Sequence, residues 1–336
     1  MERYYLVGDI GGTNLRMQLR NGKNEVIKQL KHKTNDYKSI YEFLDIFFQD
    51  TQVKPDQVSA AVCIASKIHD NVAVTHANFN WEDTNGHTVK EKFKFIDFQL
   101  LNDFEACGYS MPVLEKKLFI LFNGHQTPNF EKDFKLLLVG PGTGLGVCLV
   151  QRRKGDTFVL PSEGGHIGLC AYDKEQYEFQ EFAKNKFHLT NEIISAEWLF
   201  CGRAIPILYE FHCLKEGKEF DPNLKGEDVF GKIATDPISK IVFEHFLKIL
   251  GTCLSHYAVA YLPDDGILIS GTIIDSIKNL IQEDCKKEKS ILLSSFINNV
   301  CSNAYLATVP IYFTPETDLQ LKGCLSYIHL NEKNLE

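Results

Sequence analysis

One segment type occurs twice in this chain and limits what it can fold into. A buried apolar strand runs into a Gly-Thr turn and out again as a second strand, first over Leu6–Met17 and again over Leu138–Leu149. Internal repetition of this kind marks a duplicated supersecondary unit. Around each copy, short apolar runs that read as strands alternate with segments of helical spacing. In the first half, strands are expected at Tyr4–Asp9, Leu15–Arg20, Glu25–Lys31, Val58–Ala65 and Phe95–Asn102, and helices at Ser39–Gln49 and Phe104–Tyr109. In the second half, strands are expected at Phe134–Gly140, Leu145–Gln151, Asp156–Leu160, Gly266–Ser270 and Val309–Phe313. Helices are expected there at Glu175–Lys186, Ala196–His212, Ile238–Tyr261, Asp275–Lys286 and Leu319–His329. The fold class is therefore α/β, with two similar halves flanking a central ligand cleft. No long Pro/Gly/Ser linker separates the halves, so the expected hinge is short.

The 336 residues suffice for two hydrophobic cores. With a formal net charge of −8 and no long Lys/Arg block, the chain carries no nucleic-acid or membrane patch; Cys285–Lys289 is only a short surface run. An anionic ligand must then be held locally, by backbone amides or a few cations. The ten cysteines include no C-x-x-C pair, and most lie in apolar runs. They read as reduced thiols of a reducing compartment, neither disulfides nor zinc ligands. The first strand starts almost at Met1, which leaves no room for a signal peptide or a DNA-binding head, and no apolar stretch approaches the length of a membrane span. A cytoplasmic protein is expected, with no nucleic-acid and no membrane partner.

Four segments can carry chemistry. The first is Gly8-Asp9-Ile10-Gly11-Gly12-Thr13-Asn14. Adjacent glycines can take positive φ and come close to a ligand, so that successive amides form an anion nest. Asp9, at the strand end, is placed to hold the hydrated Mg2+ of a nucleotide. A hairpin with a Gly-rich turn explains the same residues without a ligand. The second segment, Gly140-Pro141-Gly142-Thr143-Gly144-Leu145-Gly146, has four glycines in seven residues between two strands. It is neither a Walker A loop nor a dinucleotide fingerprint, because a strand follows it. Its amides suit the other end of a triphosphate.

The third segment is Asn102-Asp103, directly after a buried strand. Asp103 can take the proton of an attacking sugar hydroxyl, and Asn102 can bind neighbouring hydroxyls. Equally, Asp103 can cap the helix that follows. The fourth comprises Ser162-Glu163-Gly164-Gly165-His166 and, downstream, Ser195-Ala196-Glu197. Carboxylate and imidazole make paired hydrogen bonds to vicinal hydroxyls, and Asn78 could add an amide. The plain alternatives are a satisfied core histidine for His166 and a helix N-terminal carboxylate for Glu197.

Taken in order, these segments resemble the bacterial-type glucokinase family, within the actin–hexokinase–chaperone ATPase superfamily. The resemblance covers nearly the whole chain and is strongest at Leu6–Arg16, Leu101–Ala106, Val139–Val147, Leu160–His166 and Ser195–Glu197. It implies two ribonuclease-H-like (actin-like ATPase) domains: a small one over 1–112 plus 314–336 and a large one over 113–313. It implies an ATP- and Mg2+-dependent kinase acting on the 6-hydroxyl of glucose, as a homodimer. Position by position, Asp103 matches the catalytic base, and Asn102, Glu163, His166, Glu197 and Asn78 match the glucose ligands. Asp9, with its water-held Mg2+, Gly11, Gly12, Thr13 and Asn14 match the first phosphate loop. Gly142, Thr143 and Gly144 match the second, and Gly271 stands in the glycine pair beside the adenosine, here Gly271-Thr272.

Three rivals share parts of this pattern. A repressor–kinase of the related sugar-kinase family would need a Cys-rich zinc motif after His166, where only Cys170 stands. An actin-like ATPase explains both phosphate loops but leaves Asn102-Asp103, Glu163, His166 and Glu197 as coincidence. A catalytically weak sugar sensor would not need Asp9 and Asp103.

Overall fold

The computed structural model describes residues 3–74, 81, 84–124, 129, 131–189, 192–271, 273–274 and 286–333. Asn78, Thr272 and the expected Asp275–Lys286 helix, save its last residue, lie outside the described residues. The chain forms two compact units. One comprises Met1–Leu114, Thr157–Pro161 and Asp318–Glu336, the other Glu115–Asp156 and Ser162–Thr317.

The first unit starts with β1 (Tyr4–Ile10), β2 (Asn14–Arg20), β3 (Val26–Lys33), helix α1 (Ile40–Gln49) and β4 (Val58–Ile64). A small hairpin, β5 (Ile68–His69) with β6 (Val72–Ala73), precedes α2 (Gly86–Phe93), β7 (Asp97–Asn102) and α3 (Asp103–Tyr109). The sheet runs β3-β2-β1-β4-β7. The first three strands are antiparallel neighbours, whereas β4 and β7 continue parallel to β1. Both faces are covered, so β1 and β4 read as continuous apolar runs. Leu6, Ile10, Ala60, Val62 and Ile64 pack with Ile40, Phe43, Leu44 and Phe47 of α1. Tyr5, Val7, Ala61 and Cys63 pack with Leu321, Cys324 and Ile328 of the Leu319–Lys333 helix. The α1 residues recur at helical spacing, and Ser39 caps the helix by accepting the Glu42 amide at 3.3 Å.

The second unit contains β8 (Ile120–Asn123), β9 (Phe134–Pro141), β10 (Leu145–Arg153) and helices α4 (Lys174–Lys186), α5 (Glu197–Phe200), α6 (Ala204–Lys215), α7 (Gly226–Gly231) and α8 (Pro237–Tyr261); β11 (Asp156–Ser162) follows β10 in the chain, with Thr157–Pro161 grouped in the first unit. Strands β12 (Ile267–Ile269) and β13 (Ile311–Phe313) complete the six-stranded sheet, ordered β11-β10-β9-β12-β13-β8. Its first five positions repeat the order of the other sheet, and β8 is added antiparallel at the edge. The repeat read from the two Gly-Thr turns is thus a repeat of whole sheets.

The single helix expected over Ala196–His212 is broken. Helix α5 ends at Phe200 and α6 starts at Ala204. Between them the Gly202 amide donates to the Gly142 carbonyl at 2.8 Å instead of to its own helix. Pro206 enforces the break, since a proline in a helix interior lacks a donor and its ring strikes the carbonyl four residues back. Of the helices not expected from periodicity, Gly86–Phe93 and Lys286–Ile297 bury few side chains of their own: Val89 in the first, Leu292 and Phe296 in the second.

Candidate active site

In the first unit, strand register gathers the acidic residues. Ile10 pairs with Ile64 and Ile64 with Asn102 across three parallel strands. Asp9, Asn102 and Asp103 therefore stand at the C-terminal edge of one sheet, where open α/β sheets bind ligands. Helix α3 starts there, and its cap is Asn102, not Asp103 as the sequence allowed. Asn102 Oδ1 accepts the Phe104 amide at 2.9 Å and the Glu105 amide at 3.2 Å, while Glu105 Oε2 accepts the Asn102 amide at 3.3 Å. This is a reciprocal capping box. Asn102 Nδ2 donates to the Ser66 carbonyl at 3.1 Å, which fixes the amide plane.

Asp103 is the first helical residue, and its Oδ1 also accepts from the Phe104 amide, at 2.9 Å. Burial and then the nearby Asp9 charge push its carboxyl up to about 6, against the lowering effect of backbone amides and Asn102. Burial likewise raises Asp9, opposed by Arg16. Arg16 bridges two acids: its Nη2 lies 3.0 Å from Asp9 Oδ2 and its Nη1 2.6 Å from Asp318 Oδ1. The Cys63 thiol donates to Asp9 Oδ1 at 3.7 Å, and burial holds that thiol far up its range. Among the described residues, no group of three or more His, Cys, Asp and Glu could hold a metal ion. Asp9 raises the proton affinity of Asp103, while Asp9 itself is raised by burial and by Asp318 and lowered by Arg16.

The first Gly loop departs from expectation in its backbone. Neither Gly11 nor Gly12 has positive φ, nor do Gly142 and Gly144. The loop is close but not left-handed: the Gly11 amide donates to the Asn14 carbonyl at 2.9 Å, and a Cβ on Gly11 would stand a tight 3.2 Å from that oxygen. Thr34 pins the loop from outside, its hydroxyl donating to the Gly11 carbonyl at 2.6 Å and its amide to the Thr13 carbonyl at 3.0 Å. Thr13 and Asn14 remain exposed.

The second unit brings together its own set. The Gly142 amide donates to the Gly144 carbonyl at 2.8 Å, which closes the second loop. Gly271 does have positive φ (+116°), and a Cβ there would lie 2.6 Å from the Pro141 carbonyl oxygen. Glu197 lies against the loop. Its Oε2 accepts the Leu145 amide at 3.1 Å, and a Cβ on Gly144 would meet that oxygen at 2.8 Å. Arg203 Nη2 stands 3.5 Å from Glu197 Oε1, with its guanidinium 4.4 Å from the Trp198 ring centroid. An isolated bridge between Gly168 and Ser195, and the Ala196 amide donating to the Ile167 carbonyl at 2.9 Å, set Glu197 beside the Gly164–His166 turn. Glu163 and His166 project from that turn with 64% and 59% of their side chains exposed and 3.6 Å between Oε2 and Nε2. A histidine so exposed is not a core histidine.

The glucokinase family model matches residues 6–331. This chain belongs to the glucokinase family. Two curated relatives called glucokinase are 26% identical over 99% of both chains (Chromohalobacter salexigens) and 30% identical over 83% of this chain and 82% of the other (a Caulobacter species). The crystal structure of a Balamuthia mandrillaris glucokinase in complex with glucose superposes with a TM-score of 0.80 at 19% identity, covering 97% of this chain and 93% of that one. The fold is that of the actin-like ATPase sugar kinases. Within this glucokinase-family chain, sequence reading left Arg16 and Arg203 without roles. Arg16 could have been found by counting: in a hairpin closed between Gly11 and Asn14, Asp9 and Arg16 are direct cross-strand partners. Arg203 carried no such signal, because its contact depends on the helix break.

Proposed function

We propose that this chain transfers the γ-phosphoryl group of ATP to the 6-hydroxyl of glucose, giving glucose 6-phosphate and ADP. The observation that carries the reading is Asp103, a carboxylate at the head of α3 held at about 6 by burial and Asp9, in a chain that matches the glucokinase model throughout. A base with that affinity is ionised at neutral pH yet close enough to it to accept a proton. Asp103 takes the hydroxyl proton as the oxygen attacks the γ-phosphorus, and the bond to the β–γ bridging oxygen breaks in line. Asn102 holds Asp103 at the helix head. Glu163, His166 and Glu197 bind sugar hydroxyls, and Asn78 and the remaining amide hydrogen of Asn102 extend that set. Gly12, Thr13, Asn14 and Thr143, Gly144 present donors to the phosphates, the Gly11 and Gly142 amides being spent on closing their loops, and Gly271 lets the backbone approach the adenosine. Asp9 would hold Mg2+ through water, and the ion would supply neutralisation of phosphate charge.

Coupled ADP production with Mg·ATP, with and without glucose, tests the reading. Strong glucose-dependent turnover is expected; ADP release that ignores glucose would leave an actin-like ATPase, and glucose binding without turnover a sensor. Gly271→Ala is expected to raise the KM for ATP about tenfold or more, because its Cβ meets the Pro141 carbonyl at positive φ, while the KM for glucose holds. Equal ATP kinetics in the variant would remove Gly271 from the nucleotide site. Among the described residues, no helix is long and apolar enough to cross a membrane. The proposal extends to a cytoplasmic homodimer, which sedimentation of the purified chain checks.

A further inference from the structure

The turn that bears Glu163 and His166 is short, exposed at both functional side chains, and made of two glycines. Its own backbone supplies two hydrogen bonds, the His166 amide to the Glu163 carbonyl at 2.9 Å and the Ile167 amide to the Gly164 carbonyl at 3.2 Å, across residues that restrict the backbone least. The turn is also gripped on two sides. On one side its backbone lies against the second Gly loop, close enough that a Cβ on Gly165 would stand 2.1 Å from the Leu145 carbonyl oxygen. On the other, α8 presents two tyrosines one turn apart. The Tyr257 hydroxyl donates to the Gly164 carbonyl at 2.7 Å, and the Tyr261 hydroxyl shares a 2.6 Å hydrogen bond with Ser162 Oγ. These anchor points bracket Glu163, one on each chain neighbour.

We propose that Tyr257 and Tyr261 are positioning residues for sugar recognition: the α8 hydroxyl pair sets where Glu163 and His166 stand, and through them the affinity for glucose. Tyr257 is 1% exposed, and α8 is the 25-residue helix on which this unit packs, so the turn is anchored to the core of the unit. Residues at i and i+4 share one helix face, which is why both hydroxyls reach the same short turn. The two phosphate loops make no such bond to these hydroxyls, so the effect belongs to the sugar and not to the nucleotide. This inference rests on the proposed glucose kinase reading and names what holds its sugar-binding turn.

The test is a steady-state comparison of the wild type with Tyr257→Phe, Tyr261→Phe, Ser162→Ala and the Tyr261→Phe/Ser162→Ala double variant, with thermal unfolding of each. Phenylalanine keeps the packing and deletes only the hydroxyl. For Tyr257→Phe we expect the KM for glucose to rise about tenfold, the step that corresponds to the lost bond to the turn; the other bond of this hydroxyl, to Cys253, lies within α8. The KM for ATP should stay within about twofold. Tyr261→Phe and Ser162→Ala should each raise the glucose KM by a smaller and equal factor, and the double variant by no more than either one, since both delete one bond. A glucose KM unchanged in Tyr257→Phe overturns the inference. So does a parallel rise of both KM values with a lowered melting temperature, which would mean the hydroxyls only hold the fold. Absence of glucose-dependent turnover in the wild type would instead sink the kinase reading itself, and the sugar role of the tyrosines with it.

Discussion

Asp103→Asn is expected to lower kcat by about 10^2- to 10^4-fold, the usual contribution of a positioned general base. Asparagine keeps the size of the side chain and can still accept the Phe104 amide as Asp103 Oδ1 does, so α3 should form unchanged. What it cannot do is take a proton. In the wild type, kcat/KM for glucose should fall tenfold per pH unit below about 6, where Asp103 becomes protonated. The variant's residual rate should lack that acid limb. The same substitution has a stability signature of opposite sign. Asp103 is raised from 3.8 to about 6 in the folded chain, so between those values the native state keeps a proton that the unfolded chain has lost. Stability therefore falls as pH rises through that window, and the full cost remains above it. Removing the charge removes the cost. At pH 8 the variant should melt higher than the wild type, and near pH 4 the difference should shrink. A variant that turns over normally would take Asp103 out of the base role; one that melts lower at pH 8 would contradict the burial of an unfavourable charge.

The central strands of both sheets were legible because they are near-continuous apolar runs, Val58–Ile64 being buried throughout, whereas the short edge strand Ile120–Asn123 was not expected. The two Gly-Thr turns gave the repeat because a strand-turn-strand hairpin is local. Asn102-Asp103 was legible as a helix head but ambiguous as to the cap. Glu105, three residues after Asn102 and two after Asp103, decides in favour of Asn102 by closing the capping box. Chemistry that depends on distant backbone was not legible. The break at Gly202 exists because that amide bonds to Gly142, and only Pro206 hinted at it. The roles of Tyr257 and Tyr261 were hidden in a helix that is apolar almost all round, where periodicity does not single out a hydroxyl. The positive φ expected of Gly11 and Gly12 failed because the hairpin closes through the Gly11 amide on the Asn14 carbonyl without left-handed backbone.

Gly323→Ala is expected to destabilise the chain by about 3 kcal/mol and to lower kcat, although it sits in a helix far along the sequence from Asp103. Two effects compete. Alanine in a helix interior is favoured over glycine by about 1 kcal/mol, so propensity alone predicts a stabilised variant. Contact predicts the reverse. The Leu319–Lys333 helix crosses α3 backbone to backbone at this residue, and a Cβ on Gly323 would stand 1.6 Å from the Ala106 carbonyl oxygen and 3.2 Å from the Ser110 amide nitrogen. A main-chain oxygen cannot rotate aside as a side chain would, so one helix must move. The core that the two helices share with the sheet, Val7, Cys63, Ala106, Leu321 and Cys324, leaves no slack, and the displacement must open it. Ala106 lies in the first turn after Asp103, so a shift of α3 carries the Asp103 carboxylate, the proposed base, with it. Misplacement on the order of 1 Å costs about 10^2-fold in rate. Thermal unfolding and kcat, measured on the same preparation, decide between the two effects. A variant that melts higher and turns over normally would show that propensity wins and that the two helices are not in backbone contact. A variant that melts lower and loses kcat would show that the C-terminal helix sets the position of the base.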